Sequence, residues 1–286
     1  QELEPGQRPP GLRNHVWDDN DYSIVREDGF TIPTHPITRV EVVALAWAAR
    51  LRWADRFKLI DPQFSKELSD SAIDLEERFN GYFPYADAGG GYLAEALDGN
   101  GKQILSVKVH PLLALSATYK GRAIIQEDEV SLQVIDRAYR ELYDERGGFR
   151  TVSRNTPSHP KNIYHGPDTV WPQVQSMTVR AIDATRERIR FKYPVHAEKL
   201  RLMALKIAES GMRPQACFGL PIELVMLPQQ GGILLFEERD EKGRLRRTSS
   251  LVQAWGASAM EYNTEYLRVN GIKEIDVFLP LERAAA

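Results

Sequence analysis

The segment Val40-Glu41-Val42-Val43-Ala44-Leu45-Ala46-Trp47 narrows the choice of fold more than any other stretch. Wound as a helix it is apolar on nearly all sides, so the helix expected from about Ile37 to Phe57 should also be buried on nearly all sides. Such a helix needs others stacked around it, and the rest of the chain supplies them. Asp61-Pro62 starts a second helix, with Phe64, Leu68, Ala72, Leu75 and Phe79 marking one face at steps of three and four. Val109–Thr118 reads as a short helix. Val130, Val134, Ala138 and Leu142 mark another, ended by Gly147-Gly148. Two more are expected over Thr169–Phe191 and Pro194–Ser210, the second stopped by Gly211, and a last one over Leu251–Leu267.

Strand signals are few. Tyr92–Leu97 and Lys273–Leu281 read as short strands, and Gly232–Thr248 alternates around Asp240-Glu241-Lys242-Gly243 as a β-hairpin. No repeat occurs at solenoid periods. What recurs is helix, polar loop, helix, which predicts a mainly α chain of antiparallel helical hairpins packed in layers. If the helices form a ring, the loops between alternate helices converge at one end of it. Residues 1–36 read as a lead segment and irregular loop, and 37–286 as the helical domain.

At 286 residues the chain can bury a substantial core. Its formal charge of −3 gives no field for a polyanion, so nucleic acid is not an expected partner. No apolar run reaches spanning length, so neither is a membrane. The single cysteine, Cys217, excludes an internal disulfide and fits a reducing compartment. With no signal peptide at the start, a cytoplasmic location is expected. The proline-rich opening at Gln1 does not look like a natural start, which leaves room for an upstream region.

The run Tyr164-His165-Gly166-Pro167-Asp168-Thr169-Val170-Trp171-Pro172 puts a histidine, an aspartate and a tryptophan on a turn that enters a helix, with Thr169 expected as N-cap. Tryptophan with carboxylates suits carbohydrate, because aromatic faces stack on sugar rings while carboxylates bind hydroxyls or transfer protons. Trp17, Trp47, Trp171 and Trp255 sit beside or within helix starts or loops of this kind, although Trp47 and Trp53 read better as core. Glu223 lies in the apolar run Leu220 to Leu227, so its carboxylate is either buried and paired or kept for function. Glu41 is either a substrate ligand or one half of an internal salt bridge with Arg39 or another arginine. The runs Arg186–Arg190 and Arg246-Arg247 read as solvated faces.

Several of these stretches, in order, resemble the C-terminal α-1,6-glucosidase domain of glycogen debranching enzymes, and more loosely the (α/α)6-barrel glycosidases. His15-Val16-Trp17-Asp18-Asp19 is similar to that family's Thr-Trp-Met-Asp-Ala. Val40-Glu41 with Ala44 to Trp47 is similar to its Val-Glu…Ala-Leu-Trp helix. Tyr164 to Pro172 resembles Tyr-His-Gln-Gly-Thr-Val-Trp-Pro. Gly219-Leu220-Pro221-Ile222-Glu223 resembles a glycine- and proline-flanked glutamate, and Gln253-Ala254-Trp255 matches Gln-Ala-Trp.

The resemblance implies an (α/α)6 toroid, or the second half of one, with the hairpin as an insertion and a short terminal strand. It implies an inverting glycoside hydrolase of the glycogen-debranching type, without metal or cofactor, acting on an α-glucan or α-glucoside. Asp19 would be the general acid and Glu223 the general base, some 6.5–9.5 Å apart. Trehalase-like relatives would select Asp18 instead. Trp17, Asp18, Glu41, Tyr164, His165, Trp171, Gln253 and Trp255 would bind the sugar. About seven helices fall short of the twelve of a full barrel, so an upstream segment or partner chain would complete the ring. His110-Pro111 stands where the family has Arg-Pro-Asn. A binding relative without turnover and a helical interaction scaffold are the alternatives.

Overall fold

The computed structural model describes residues 22–270. Seven helices form among the described residues: α1 (Val40–Phe57), α2 (Pro62–Tyr82), α3 (His110–Leu115), α4 (Asp128–Leu142), α5 (Pro172–Ile189), α6 (Pro194–Phe218) and α7 (Ala254–Val269). The fold is mainly helical with small sheets, as the periodicity predicts. Local chemistry sets several of the boundaries. The Asp61 carboxylate accepts from the Phe64 N–H at 3.0 Å, capping α2 ahead of Pro62. Pro172 and Pro194 open α5 and α6, where a missing N–H leaves nothing unpaired. Gly219 ends α6 at φ 68, a left-handed cap that L side chains resist.

The row α1, α3, α5, α7 packs side by side in that order, while α2 lies on α1, α4 on α3 and α5, and α6 on α5 and α7. One contiguous apolar cluster draws on all seven helices, including Trp47, Phe79, Leu112, Ile135, Ile182, Ile207 and Leu267. Each such buried side chain contributes about 1.5–3 kcal/mol of transfer free energy. That layer of side chains is what holds the two rows together.

Backbone hydrogen bonds lace the N-terminal ends of α3, α5 and α7 together and tie the start of α1 to Glu95. Val40 N donates to Glu95 O, Val109 N to Thr151 O, and Thr151 N to Thr169 O; Glu223 N donates to Ser250 O and Gln253 N to Pro221 O. The strands Thr169–Val170, Val225–Met226 and Leu234–Leu235 form a three-stranded sheet, and Arg150 bridges to Val170 on its other side. The starts of α3, α5 and α7 therefore stand along one ribbon, with the loops that precede them at the same end.

Several expectations are corrected. The first helix begins at Val40 rather than Ile37, because Thr38–Arg39 pairs as a strand with Ala96–Leu97. It is also not buried all round: Val42 and Leu45 are 45% and 52% exposed. Trp53 is 56% exposed, with its ring 5.8 Å from that of Phe57, so it is no core residue, whereas Trp47 is fully buried. Thr169 is not an N-cap. It lies in a strand and its hydroxyl donates to Gly166 O, while Trp171 takes the cap position.

Gly211 does not stop α6, which runs on through Pro214 to Phe218. A Cβ at 211 would stand 2.7 Å from Gln175 Cβ, so this glycine serves the close approach of α5 and α6. Pro214 lacks the N–H that would reach Ser210 O and its ring crowds that carbonyl, yet the helix continues through it to Phe218. Gly147-Gly148 ends no helix either. α4 stops at Leu142, and the glycines close a turn between the paired strands Tyr143–Asp144 and Gly148–Phe149. The expected hairpin forms between Glu237–Arg239 and Leu245–Thr248. The strand expected at Lys273–Leu281 lies outside the described residues.

Candidate functional site

The turn before α5 builds one wall of the site. Gly166 is required there, since a Cβ would meet Asn162 O at 2.5 Å. Asn162 Nδ2 donates to His165 O at 3.1 Å and Thr169 Oγ1 to Gly166 O at 2.8 Å, which fixes the turn. The His165 ring stacks on Trp171 with centroids 4.9 Å apart and planes 8° from parallel. Tyr164 meets Trp171 edge-on at 5.0 Å and Phe236 at 5.1 Å. Both His165 and Trp171 are buried, so the half-buried Tyr164 is what this aromatic group presents outward.

Glu223 lies against that group. Tyr164 donates its hydroxyl to Glu223 Oε1 at 2.5 Å, and the Ser250 N–H donates to Oε2 at 2.9 Å. The carboxylate is half-buried and held from both sides. The proline-flanked loop that carries it is anchored by α7: a Cβ on Gly256 would stand 2.8 Å from Ile222 O and 2.9 Å from Pro221 O. The hairpin reaches the same spot, with Phe236 just before it edge-on to Tyr164 and the Arg247 guanidinium 4.4 Å over the Tyr164 ring centroid.

A second group of polar side chains is buried where α1 and α3 begin. Glu95 Oε1 accepts from Arg39 Nη1 and Lys108 Nζ, each at 2.6 Å. The Glu41 carboxylate stands 3.5 Å from Arg39 Nε and 4.0 Å from His110 Nε2, with no hydrogen-bond donor in reach among the described residues. The salt bridge to Arg39 is thus present. Tyr92 donates to Lys108 O at 2.6 Å, and burial pushes its phenol well above the ordinary range, so it stays a donor.

The backbones at Val109, Thr151 and Thr169 pair in succession, so those of Val109 and Thr169 stand roughly 10 Å apart at ordinary strand spacing. The Glu41–His110 group and the Trp171–Glu223 wall therefore border one end of the first row of helices.

The structure brings Tyr164, His165, Trp171 and Glu223 together and sets Glu41 at the start of α1, which α3 separates from α5 in the row. Gln253 takes the cap position of α7 beside the Glu223 loop, and its buried Oε1 has no hydrogen-bond partner among the described residues. Trp255 is 62% exposed and joins no aromatic group among the described residues, so it does not line this wall. Trp17, Asp18 and Asp19 lie outside the described residues.

The sequence reading passed over Glu95, Lys108 and Ser250. A charge inside the short strand expected at Tyr92–Leu97 was the signal available for Glu95. Ser250 acts through its backbone, which leaves no signal. Asp168 pairs with Arg154 at 2.7 Å, and the exposed Cys217 is a free thiol.

Among the described residues no group of three or more His, Cys, Asp or Glu could hold a metal ion. None of the helices is long and apolar enough to cross a membrane. A cavity of about 220 Å³ opens between α4 and α6, lined by residues such as Leu132, Asp136, Lys199 and Met203, and shares none of its lining with the Glu223 wall. No protein-family model matches the chain, and comparison with curated proteins finds no match.

Proposed function

We propose that the end of the helical row carrying Glu223 binds a carbohydrate, and that the chain is an inverting glycoside hydrolase acting on an α-glucosidic bond. One observation carries this reading. A half-buried carboxylate is held by a tyrosine hydroxyl and a backbone N–H on a wall of four aromatic or imidazole rings. Two fixed donors leave lone pairs on both carboxylate oxygens, so Glu223 can still accept a proton from a water set against a sugar. The alternating helix rows suit an (α/α)6 ring or its second half. Glu223 is assigned as general base and Asp19 as general acid, with Tyr164 and Glu41 on the sugar side.

The test is to follow the anomer released from an α-1,6-linked glucoside such as isomaltose by proton NMR. Inversion predicts β-glucose as first product, and Glu223→Gln or Asp19→Asn should each lower kcat/KM by about 10²–10⁴-fold. Hydrolysis that survives loss of both carboxylates, or a retained anomer, overturns the reading. The engagement of both Glu223 oxygens also favours a second reading, sugar binding without turnover. It predicts that added sugar raises the thermal midpoint while no product forms.

A further inference from the structure

We propose that Arg247 is a specificity-determining residue of the Glu223 site, and that the site takes a glycoside bearing an anionic group, either a carboxylate or a phosphate. This rests on the glycoside reading above and narrows its substrate class. The hairpin carries four arginines, and three are neutralised within it. Arg239 pairs with Glu237 at 2.6 Å, Arg244 with Asp240 at 2.7 Å, and Arg246 with Glu238 at 3.8 Å. Arg247 makes no such pair among the described residues. It is exposed, and its guanidinium is held 4.4 Å from the Tyr164 ring centroid.

Tyr164 is itself fixed by its bond to Glu223 and its edge contacts with Trp171 and Phe236. The one hairpin arginine without a carboxylate partner among the described residues is thus the one parked over the wall that holds the candidate base. A guanidinium resting on a ring keeps its edge N–H groups open, and that planar fork fits the paired oxygens of a carboxylate or phosphate.

The nearby Glu223 charge does not forbid such a ligand. Coulomb energy falls with distance, so an anion about 4 Å from Arg247 and about 8 Å from Glu223 is attracted twice as strongly as it is repelled. A neutral glucan would leave the cation unused. The arrangement therefore favours an acidic sugar unit or an acidic aglycone reaching the hairpin.

The experiment is isothermal titration of the whole chain with glucose, glucuronate and glucose 6-phosphate, repeated on Arg247→Gln and Arg247→Lys. At least one anionic sugar should bind the native protein about tenfold or more tightly than glucose. Arg247→Gln should remove that preference, so that anionic and neutral sugars bind the variant equally, and Arg247→Lys should keep part of it. Glucuronate against glucose 6-phosphate separates carboxylate from phosphate. Equal affinities for all three sugars, or a preference that survives Arg247→Gln, would overturn the proposal. Binding of none of them would remove the glycoside reading itself, and this inference with it.

Discussion

Tyr164→Phe removes one atom from the wall and leaves the rest of its geometry in place. The phenylalanine ring keeps its edge contacts with Trp171 and Phe236 and stays beneath Arg247. What goes is the O–H donated to Glu223 Oε1 at 2.5 Å. Hydrogen bonds to charged groups contribute about 1.5–3 kcal/mol. Glu223 is half-buried and keeps the Ser250 N–H, so water can replace part of what is lost, and the lower end, about 1.5 kcal/mol, is expected.

Urea unfolding of native, Tyr164→Phe, Glu223→Gln and the double variant forms a cycle that isolates this bond. The coupling should be about 1 kcal/mol or more, against the roughly 0.3–0.5 kcal/mol within which independent sites add. For a chain of this size Tyr164→Phe alone should lower the thermal midpoint by roughly 2–3 °C. A coupling within the additive range would show that the tyrosine does not hold the carboxylate, and the account of the wall would fail.

Trp47→Ala should destabilise by about 3–5 kcal/mol, since it empties a fully buried site and leaves Glu76 without the indole N–H at 3.2 Å. Trp53→Ala should cost under about 1 kcal/mol, and chemical denaturation of the two variants compares them directly. Gly211→Ala should destabilise by about 1–2 kcal/mol despite the better helix propensity of alanine, because the new Cβ would push Gln175 off Phe149. Faster amide exchange at Phe149 would report that shift.

Asp28 concerns pH. The Thr31 hydroxyl, then the N–H groups of Thr31 and Phe30, hold its carboxyl down to about 2 from 3.8. A lowered folded-state pKa adds stability that is fully present above pH 3.8 and lost as pH falls toward about 2. The gap in thermal midpoint between native protein and Asp28→Ala should therefore close over that range, and a gap constant with pH would refute the assignment.

Helix existence was legible because it rests on local chemistry. A carboxylate cap at Asp61 and prolines at 62, 172 and 194 act within a single turn, and the structure starts helices there. The misses have a different origin. Gly211 reads as a stop on its own segment, yet what it meets is Gln175, thirty-six positions earlier in the chain. Trp53 is exposed on the same helix that buries Trp47, and which face of α1 is covered depends on the helices packed against it, which no periodicity within α1 can encode. Thr169 had the right chemistry for a cap, but its backbone was claimed by pairing with Met226, and a strand hydrogen bond excluded the cap.

The site divides in the same way. The run 164–172 and the glutamate at 223 could be picked out because each combines polar and aromatic groups with turn residues that a core segment has no use for. Their partnership could not. Tyr164 and Glu223 are fifty-nine residues apart, and the bond between them exists only because strand 169–170 pairs with 225–226. Arg247 shows the limit most sharply. Beside Arg246 it reads as one more solvated charge, and only the positions of Glu237, Glu238 and Asp240 reveal that its three fellow arginines are paired while it, among the described residues, is not. A charge acquires meaning from the partners that the fold withholds, and a linear reading sees only those nearby in sequence.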